Sequence, residues 1–262
     1  MFTGFDVKLP EYEVVTPQTK NSFTLRTMMV KDEEKLKTSV MTPGKVTEHL
    51  NRCLYDVMVL KPEKIIDYQT FLRNTTMKDR DAILFGVYHI TYGEVREYDI
   101  RCGDCKKEFP ITFQMSDAFS INPYPDDDIL EKRVKIDLAT LKGVSVYIRQ
   151  PTLADEESAF KELGTSSIIS TDSIINTLAI ERFEQDVDVA KEPVKYTAIA
   201  DKIDAFKNIP PKDKKLILEK YIEEFGKYGI ELKIKVHCIY CGHSDVIPID
   251  LVENFFRMVY SS

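Results

Sequence analysis

The chain has 262 residues, of which 43% are hydrophobic and 30% charged, which is enough material for one large or two modest globular domains. Its formal net charge of −7 argues against a broad, sequence-independent nucleic-acid surface. The apolar runs are too short to span a membrane, and the first residues lack the basic start and apolar middle of a signal peptide, so we expect a cytosolic protein.

The first segment, residues 1–30, predicts an extended N-terminal arm. Its apolar alternation is broken by Pro10, Pro17 and several polar residues. This pattern suits an edge strand or an arm that binds a partner.

Residues 31–95 predict a helical block. Helical spacing begins at Lys31, and a second helical run places Cys53 on its apolar face. Because a free cysteine is among the most buried residue types, we expect Cys53 in the core and not at a site.

Two more helices are predicted in this block, separated by residues 74–76. The second covers Met77 to Tyr92, and Gly93 is placed to end it. The block therefore leads directly into the first cysteine pair.

The middle of the chain, residues 115–229, predicts an inserted segment of helices and strands. The proline-rich stretch 120–128 excludes regular structure, and residues 134–148 predict a β-hairpin that turns near Gly143. A helix is predicted to open at Thr152, because Asp155 lies three residues later as in a capping box.

Further helices are predicted toward the end of the insert, the first of them over about 171–183. In the last long helix of the insert, Leu218, Tyr221, Ile222 and Phe225 have the spacing of one apolar face.

Four of the five cysteines form two C-x-x-C pairs: Cys102 with Cys105, and Cys238 with Cys241. A strand is predicted before each pair and another after it. Two thiolates about one tight turn apart reach one tetrahedral zinc ion, and two pairs complete its four ligands. We therefore expect one structural Zn²⁺ per chain, held by a zinc ribbon.

The long spacing between the pairs does not exclude a single site. Closing a flexible loop of 132 residues costs on the order of 4 kcal/mol, because the entropy grows only with the logarithm of length. Structural zinc contributes roughly 10 to 16 kcal/mol in finger peptides. An inserted domain between the two pairs is compatible with one shared ion.

Other chemistry at the cysteines is not favoured. Neither pair opens a helix, as a redox-active C-x-x-C does, and a four-thiolate zinc site leaves no position for a catalytic water. His237 and His243 flank the second pair and could replace a cysteine ligand, which the sequence leaves open. The chain has no phosphate loop, nucleophile elbow or metalloprotease motif, so we expect neither an enzyme nor a small-molecule substrate.

Two surfaces are candidates for contact with macromolecules. Near the end of the chain, partner binding is predicted for Phe255, Phe256, Met258 and Tyr260, although packing on the protein's own core explains these residues equally well. Around the cysteine pairs, a small basic patch could bind nucleic acid or the transcription machinery, through Lys106, Lys107, Lys233 and Lys235. The acidic total and the lack of aromatic residues interleaved with these lysines make nucleic acid the weaker alternative.

The order of these segments resembles the baseplate hub assembly and baseplate proteins of T-even-type contractile-tailed bacteriophages. The resemblance rests on the segment from Asp79 to Gly93, on the run 209–242 that ends in the second cysteine pair, and on the Asn-Phe-Phe at 254–256. It implies a non-enzymatic structural or assembly protein of the hub or wedge region, with other tail proteins as partners. It also implies assembly in the host cytoplasm and a place in the virion tail baseplate.

Together these patterns predict an α+β protein. Its parts are a mainly helical N-terminal block, a four-cysteine zinc ribbon over 96–114 plus 230–256, a long α/β insert that splits the ribbon over 115–229, and a helical C-terminal return.

Overall fold

The computed structural model of the protein describes residues 9–37, 42–163, 171–186 and 192–261. The described helices are α1 Val30–Lys37, α2 Pro43–Asp56, α3 Tyr68–Asn74, α4 Met77–Tyr92, α5 Met115–Ala118, α6 Leu153–Leu163, α7 Thr171–Leu178, α8 Ile199–Asn208, α9 Pro211–Tyr221 with a π-helical turn Ile222–Gly226, and α10 Leu251–Ser261. The described strands are β1 Glu11–Val15, β2 Ser22–Arg26, β3 Met58–Leu60, β4 Val95–Arg101, β5 Glu108–Gln114, β6 Phe119–Asn122, β7 Val134–Asp137, β8 Val144–Ile148, β9 Ile180–Gln185, β10 Val194–Tyr196, β11 Gly229–His237 and β12 Ser244–Pro248.

These strands form four small antiparallel sheets among the described residues. Their orders are β1-β2-β3, β10-β9-β8-β7, β12-β11-β6 and β4-β5. Strands and helices are mixed along the chain, so the molecule is α+β in the broad sense.

The prediction of a mainly helical N-terminal block is wrong. Strands β1 and β2 form an antiparallel hairpin in the arm, and β3 pairs with β2 from within the block itself. The inward side chains Phe23 and Leu25 are 1% and 0% exposed, so this sheet is a wall of the core. The alternation in the arm predicted a strand. The burial of that strand depends on β3, which is too short to be predicted from the sequence.

Helix α4 packs against the β1-β2-β3 sheet, and its predicted bounds of Met77 and Tyr92 are confirmed. Thr76 accepts a hydrogen bond from the Asp79 N–H as the N-cap, and Gly93, with a φ of 80°, ends the helix in a conformation that favours glycine. Residues 82–88 are all buried because the β1-β2-β3 sheet, β11 and α10 surround the helix.

One main core joins the two ends of the chain. It contains the inward residues of the N-terminal hairpin, of α4, of β11 and of α10, such as Leu25, Leu84, Ile234 and Phe255. Cys53 is also part of it, at 5% exposure, which confirms its predicted core position. Burial raises the pKa of this thiol to about 12, so it stays protonated and unreactive.

The insert has apolar clusters of its own. One gathers Val146, Phe183 and Phe225 between the β10-β9-β8-β7 sheet and α9, and another joins α6, α7 and α8. The predicted hairpin is present as β7 and β8, with Gly143 in its turn at a φ of 78°. The predicted capping box is also present, since Thr152 and Asp155 exchange hydrogen bonds at the start of α6.

Two predictions inside the insert are wrong in part. The helix predicted over 171–183 ends at Leu178, and the chain continues as β9, which pairs with β8 and β10. Residues 120–122, predicted to be irregular, belong to β6, which pairs with the distant β11. In both cases a strand of the sheet lies far away in sequence, because β6 pairs with β11 and β9 pairs with β8.

The apolar face predicted for the last long helix of the insert is also wrong in part. Phe225 is buried, but Ile222, five residues after the buried Ile217, is 58% exposed. Five residues turn an α-helix by about 140° beyond a full turn, so Ile222 faces away from Ile217.

A buried polar junction fastens the N-terminal hairpin to the insert. The carboxylate of Asp79 accepts the backbone N–H groups of Gln18 and Thr19, and the Gln18 side chain donates to the carbonyls of Phe225 and Tyr228. Burial raises the pKa of Asp79, and these N–H donors oppose that rise. The hydrogen bonds fix where the insert meets the main core.

Within the described ranges, none of the helices combines the length and the apolar composition that crossing a bilayer requires.

Candidate metal centre

Two β-hairpins bring the four paired cysteines to one place. Cys102 and Cys105 lie in the turn between β4 and β5, while Cys238 and Cys241 lie in the turn between β11 and β12. The four sulfur atoms all lie within 4.8 Å of one another. We call the two turns, residues 102–107 and 238–243, the ribbon tip.

The two turns of the ribbon tip have the same backbone hydrogen bonds. The N–H of Cys102 donates to the carbonyl of Lys107 at 3.0 Å, and the N–H of Cys238 donates to the carbonyl of His243 at 2.8 Å. Each turn thus closes between the first cysteine and the fifth residue after it. We call each of these turns a knuckle. Their matching hydrogen bonds show that the two knuckles are related by pseudo-symmetry.

The residue after the second cysteine of each knuckle is left-handed. Lys106 has a φ of 62° and Gly242 a φ of 72°, and each donates its N–H to the carbonyl of the first cysteine of its own knuckle. This bend turns both sulfurs of a pair toward one point. Gly242 signals it in the sequence, whereas Lys106 does not, because a lysine rarely adopts this conformation.

The distances between sulfurs suit a tetrahedral ion. Cys102 Sγ lies 3.7 Å from Cys241 Sγ, and Cys105 Sγ lies 3.6 Å from Cys238 Sγ. A zinc ion with bonds of about 2.3 Å to each ligand separates two thiolates by about 3.8 Å when the geometry is tetrahedral. All four cysteines are free thiols, so no disulfide competes for these atoms.

The backbone also prepares the first cysteine of each knuckle for ionisation. Burial raises the pKa of Cys102, but the N–H groups of Cys105 and Asp104 outweigh it and the net pKa is lowered. At Cys238 the same opposition, with the N–H groups of Tyr240 and Cys241, lowers the pKa to about 7. These two sulfurs favour the thiolate, which is the form that binds a metal.

Cys241 behaves differently. The N–H of His243 lowers its pKa, but burial and the three neighbouring cysteines outweigh that donor and raise the pKa to about 12. Four sulfurs this close cannot all carry a charge unless a cation stands among them. The donor set therefore fits a divalent ion with a preference for sulfur.

Very little apolar material surrounds the sulfurs. The buried cluster here consists of Cys102, Phe109 and Cys238, with Ile100 and Ile111 packed against it. Ile100 and Ile111 also pack against the main core, which extends to Val236 on the β11–β12 hairpin.

The two histidines beside the second knuckle do not belong to the cluster of sulfurs. His237 instead places its Nδ1 2.8 Å from the hydroxyl oxygen of Ser244, across the β11–β12 pair. The four cysteines can therefore supply a full ligand set without a histidine. Such a set is closed, and no ligand position is left for a substrate or a reactive water.

The lysines around the ribbon tip are partly engaged. The Lys106 ammonium donates to the carbonyl of Gly103, and Lys107 lies over the Tyr240 ring at 4.8 Å from its centroid. Lys233 pairs with Glu231 at 2.7 Å. Of the four lysines named for a nucleic-acid patch, most thus have local partners, and no continuous basic surface follows from them.

The C-terminal aromatic and apolar residues lie on α10 and differ in exposure. Phe255 is fully buried in the main core, Phe256 and Met258 are half-buried against it, and Tyr260 is 45% exposed. The sequence allows two interpretations of this segment. Packing on the protein's own core is the one that describes Phe255. Partner contact through the other three stays a prediction.

The comparison with known protein families gives one match. A family model described as T4 bacteriophage base plate protein matches residues 9–257. No curated protein and no solved structure matches the chain.

Proposed function

The chain belongs to the family of T4 bacteriophage base plate proteins, and from this we propose that it is a non-enzymatic structural or assembly protein of the hub or wedge region. The match covers nearly the whole chain, including both knuckles and the insert between them. A phage baseplate protein works among other tail proteins, so its partners are neighbouring proteins of the tail and its place is the virion tail. We propose that assembly takes place in the host cytoplasm.

We further propose that one structural Zn²⁺ holds the ribbon tip. The observation that carries this proposal is the convergence of Cys102, Cys105, Cys238 and Cys241 from two turns that are 132 residues apart in sequence. Zinc prefers four such thiolates in a tetrahedron, and the sulfur separations fit that arrangement. The ion would supply a crosslink and no chemistry on a substrate.

The location of the crosslink suggests what it does for assembly. The knuckle of β4 and β5 follows α4, the central helix of the main core, while the knuckle of β11 and β12 precedes α10, the last helix of that core. An ion between them would close the chain at the two points where the insert leaves and returns. The insert would then have a fixed base from which to contact a neighbour.

Mass spectrometry of purified phage particles and of assembly intermediates tests the assembly proposal. We expect the chain in assembly intermediates, in the finished particle, or in both; fixed copy number in the particle would identify a permanent component. Detection only in intermediates would identify an assembly factor. If neither sample contains the chain, the proposed function is wrong.

A further inference from the structure

A small pocket lies where α4, β11 and the start of α10 meet. Its volume is about 160 Å³, and its lining consists of Asp81, Ile230, Leu232, Ile249, Asp250, Leu251 and Val252. Five of these residues are aliphatic and two are aspartates. A cavity of about 150 Å³ holds a molecule as large as benzene, so the end of one long side chain fits this space.

The carboxylate of Asp81 has no partner in the part of the chain that the structure describes. It lies in the pocket without a hydrogen bond or an ion pair there, although Lys78 and Arg80 are close enough to influence it. Arg80 instead pairs with Glu156 at 2.5 Å, and the carbon chain of Lys78 lies against Gly229. Burial is the largest influence on Asp81 and raises its pKa. Asp81 is half-buried and lines the pocket, so a cation that enters the pocket can reach its carboxylate.

Asp250 supplies a second carboxylate at the mouth of the same pocket. One of its oxygens accepts the N–H of Glu253 at 2.9 Å, which caps the start of α10. The other carboxylate oxygen makes no hydrogen bond or ion pair with the described residues and remains available. Asp250 also adds to the negative potential at Asp81 and raises its pKa further.

We propose that this pocket receives a lysine or arginine side chain of a neighbouring tail protein. The aliphatic walls suit the carbon chain of such a residue, and the two carboxylates suit its charged end. The cation would give Asp81 the partner that it lacks among the described residues. This inference deepens the proposed function, because it names the chemistry of a contact between this protein and a partner.

A titration with small amino-acid probes tests the pocket without any tail protein. The isotope-labelled full chain, purified with its bound metal, is followed by NMR while N-acetyl-lysine N-methylamide or its arginine counterpart is added. We expect saturable shifts at the amides of residue 81, of residues 230 and 232, and of residues 249–252. The corresponding norleucine compound serves as the control, because it has a similar carbon chain but no charge. It should produce no saturable shifts.

Three variants separate the pocket from general electrostatics. Asp81→Asn and Asp250→Asn should each weaken the binding of the lysine probe by about tenfold, because each removes a charged hydrogen-bond acceptor. Asparagine caps helices as well as aspartate, so Asp250→Asn keeps α10 in place. Asp126→Asn neutralises an exposed aspartate outside the pocket and should leave probe binding unchanged.

Several outcomes would overturn the inference. They are the absence of saturable shifts, equal shifts with the norleucine probe, and unchanged binding in both pocket variants. Displacement of the lysine probe by Mg²⁺ or Ca²⁺ at equal concentration would identify a metal site instead. None of these results bears on whether the chain is present in phage particles, so failure here leaves the proposed function standing.

Discussion

The main core and the ribbon tip differ in how much apolar surface holds them together. The main core packs a sheet, several helices and a long strand around residues such as Leu25, Leu84 and Phe255, each at 0% exposure. The ribbon tip encloses only Cys102, Phe109 and Cys238. Burying one large side chain stabilises by about 1.5 to 3 kcal/mol, while ordering one backbone residue costs about 1 to 2 kcal/mol.

This difference indicates why the two regions need different kinds of stabilisation. The main core can meet the cost of ordering its chain from burial alone. The ribbon tip buries far less apolar surface, because Phe109 is the one large side chain of its buried cluster and only Ile100 and Ile111 pack against it. The proposed ion would therefore take the place of a hydrophobic core there.

The largest expected effect comes from removing a zinc ligand. Cys102→Ser and Cys238→Ser should each lower the metal content from one zinc per chain to none, with the loss of roughly 10 kcal/mol of binding free energy. NMR signals of the ribbon tip should then disappear while those of the main core persist. Metal analysis by mass spectrometry and NMR of the same samples measure both effects.

Cys53→Ser is the matched control, because that thiol is buried in the main core and is not part of the cluster. It should retain one zinc per chain. Two zinc ions or none in the unmodified protein would contradict a single shared site.

The next largest effect concerns the main core. Phe255→Ala should reduce the free energy of unfolding by about 3 to 5 kcal/mol, because it removes a fully buried ring and leaves a cavity. Tyr260→Ala on the same helix should cost at most about 1 kcal/mol, since Tyr260 is 45% exposed and stacks on Phe256. Denaturant unfolding measures both values.

Zinc content should be unchanged in the folded fraction of both variants. Loss of zinc from folded Phe255→Ala would show that the geometry of the ribbon tip depends on the packing of the main core.

Lowering the pH should destabilise the main core and the ribbon tip at different pH values. The carboxylate of Asp32, 2% exposed, accepts hydrogen bonds from Arg26 at 2.7 Å and from the N–H of Met29 at 3.0 Å. Burial raises the pKa of Asp32, but these donors outweigh it and the net pKa is lowered. Its stabilisation is therefore complete above the unfolded pKa of about 3.9 and is lost as the pH falls through the folded value.

Asp32→Asn should cost about 2 kcal/mol at neutral pH and should flatten the dependence of stability on pH below about 4. The ribbon tip should respond at higher pH, because protonation of thiolates releases zinc. Unfolding curves and zinc release, followed on one pH series, test this order. If the core and the tip lose structure at the same pH, the two regions are not independent.

The smallest expected effect compares the two knuckles. Gly242→Ala should cost about 1 kcal/mol, or about fivefold in zinc affinity, because alanine is strained in the left-handed conformation. Lys106→Gly should raise zinc affinity by less than that, since glycine relieves the strain but has more freedom in the unfolded chain. Competition with a coloured chelator measures both. Equal and opposite changes in zinc affinity in the two variants would show that the conformational freedom of the unfolded chain contributes little.

Local signals in the sequence were sufficient wherever the structure depends on near neighbours. Helix α4 was predicted to the residue because the break at 74–76, the apolar spacing and the terminal glycine all lie within one segment. The hairpin of β7 and β8 and the capping box at Thr152 were predicted for the same reason.

The errors share the opposite cause. β6 lies in a proline-rich stretch and is a strand only because β11, more than a hundred residues later, pairs with it. β9 continues an apolar pattern that suits a helix, and its pairing with β8 decides the outcome. Ile222 was predicted on the apolar face from its spacing to Leu218, but α9 packs through Ile217, and only the elements around the helix decide which face is buried.

The sequence by itself determined which side chains are available to the candidate metal centre. Two C-x-x-C pairs between predicted strands identified Cys102, Cys105, Cys238 and Cys241 by residue type and spacing, because ligand chemistry is a local property. Only the tertiary structure decided that the four sulfurs meet, and that Asp81 has no hydrogen-bond or ion-pair partner among the described residues. Each of these depends on contacts between segments far apart in the chain, and such contacts form only when the core packs.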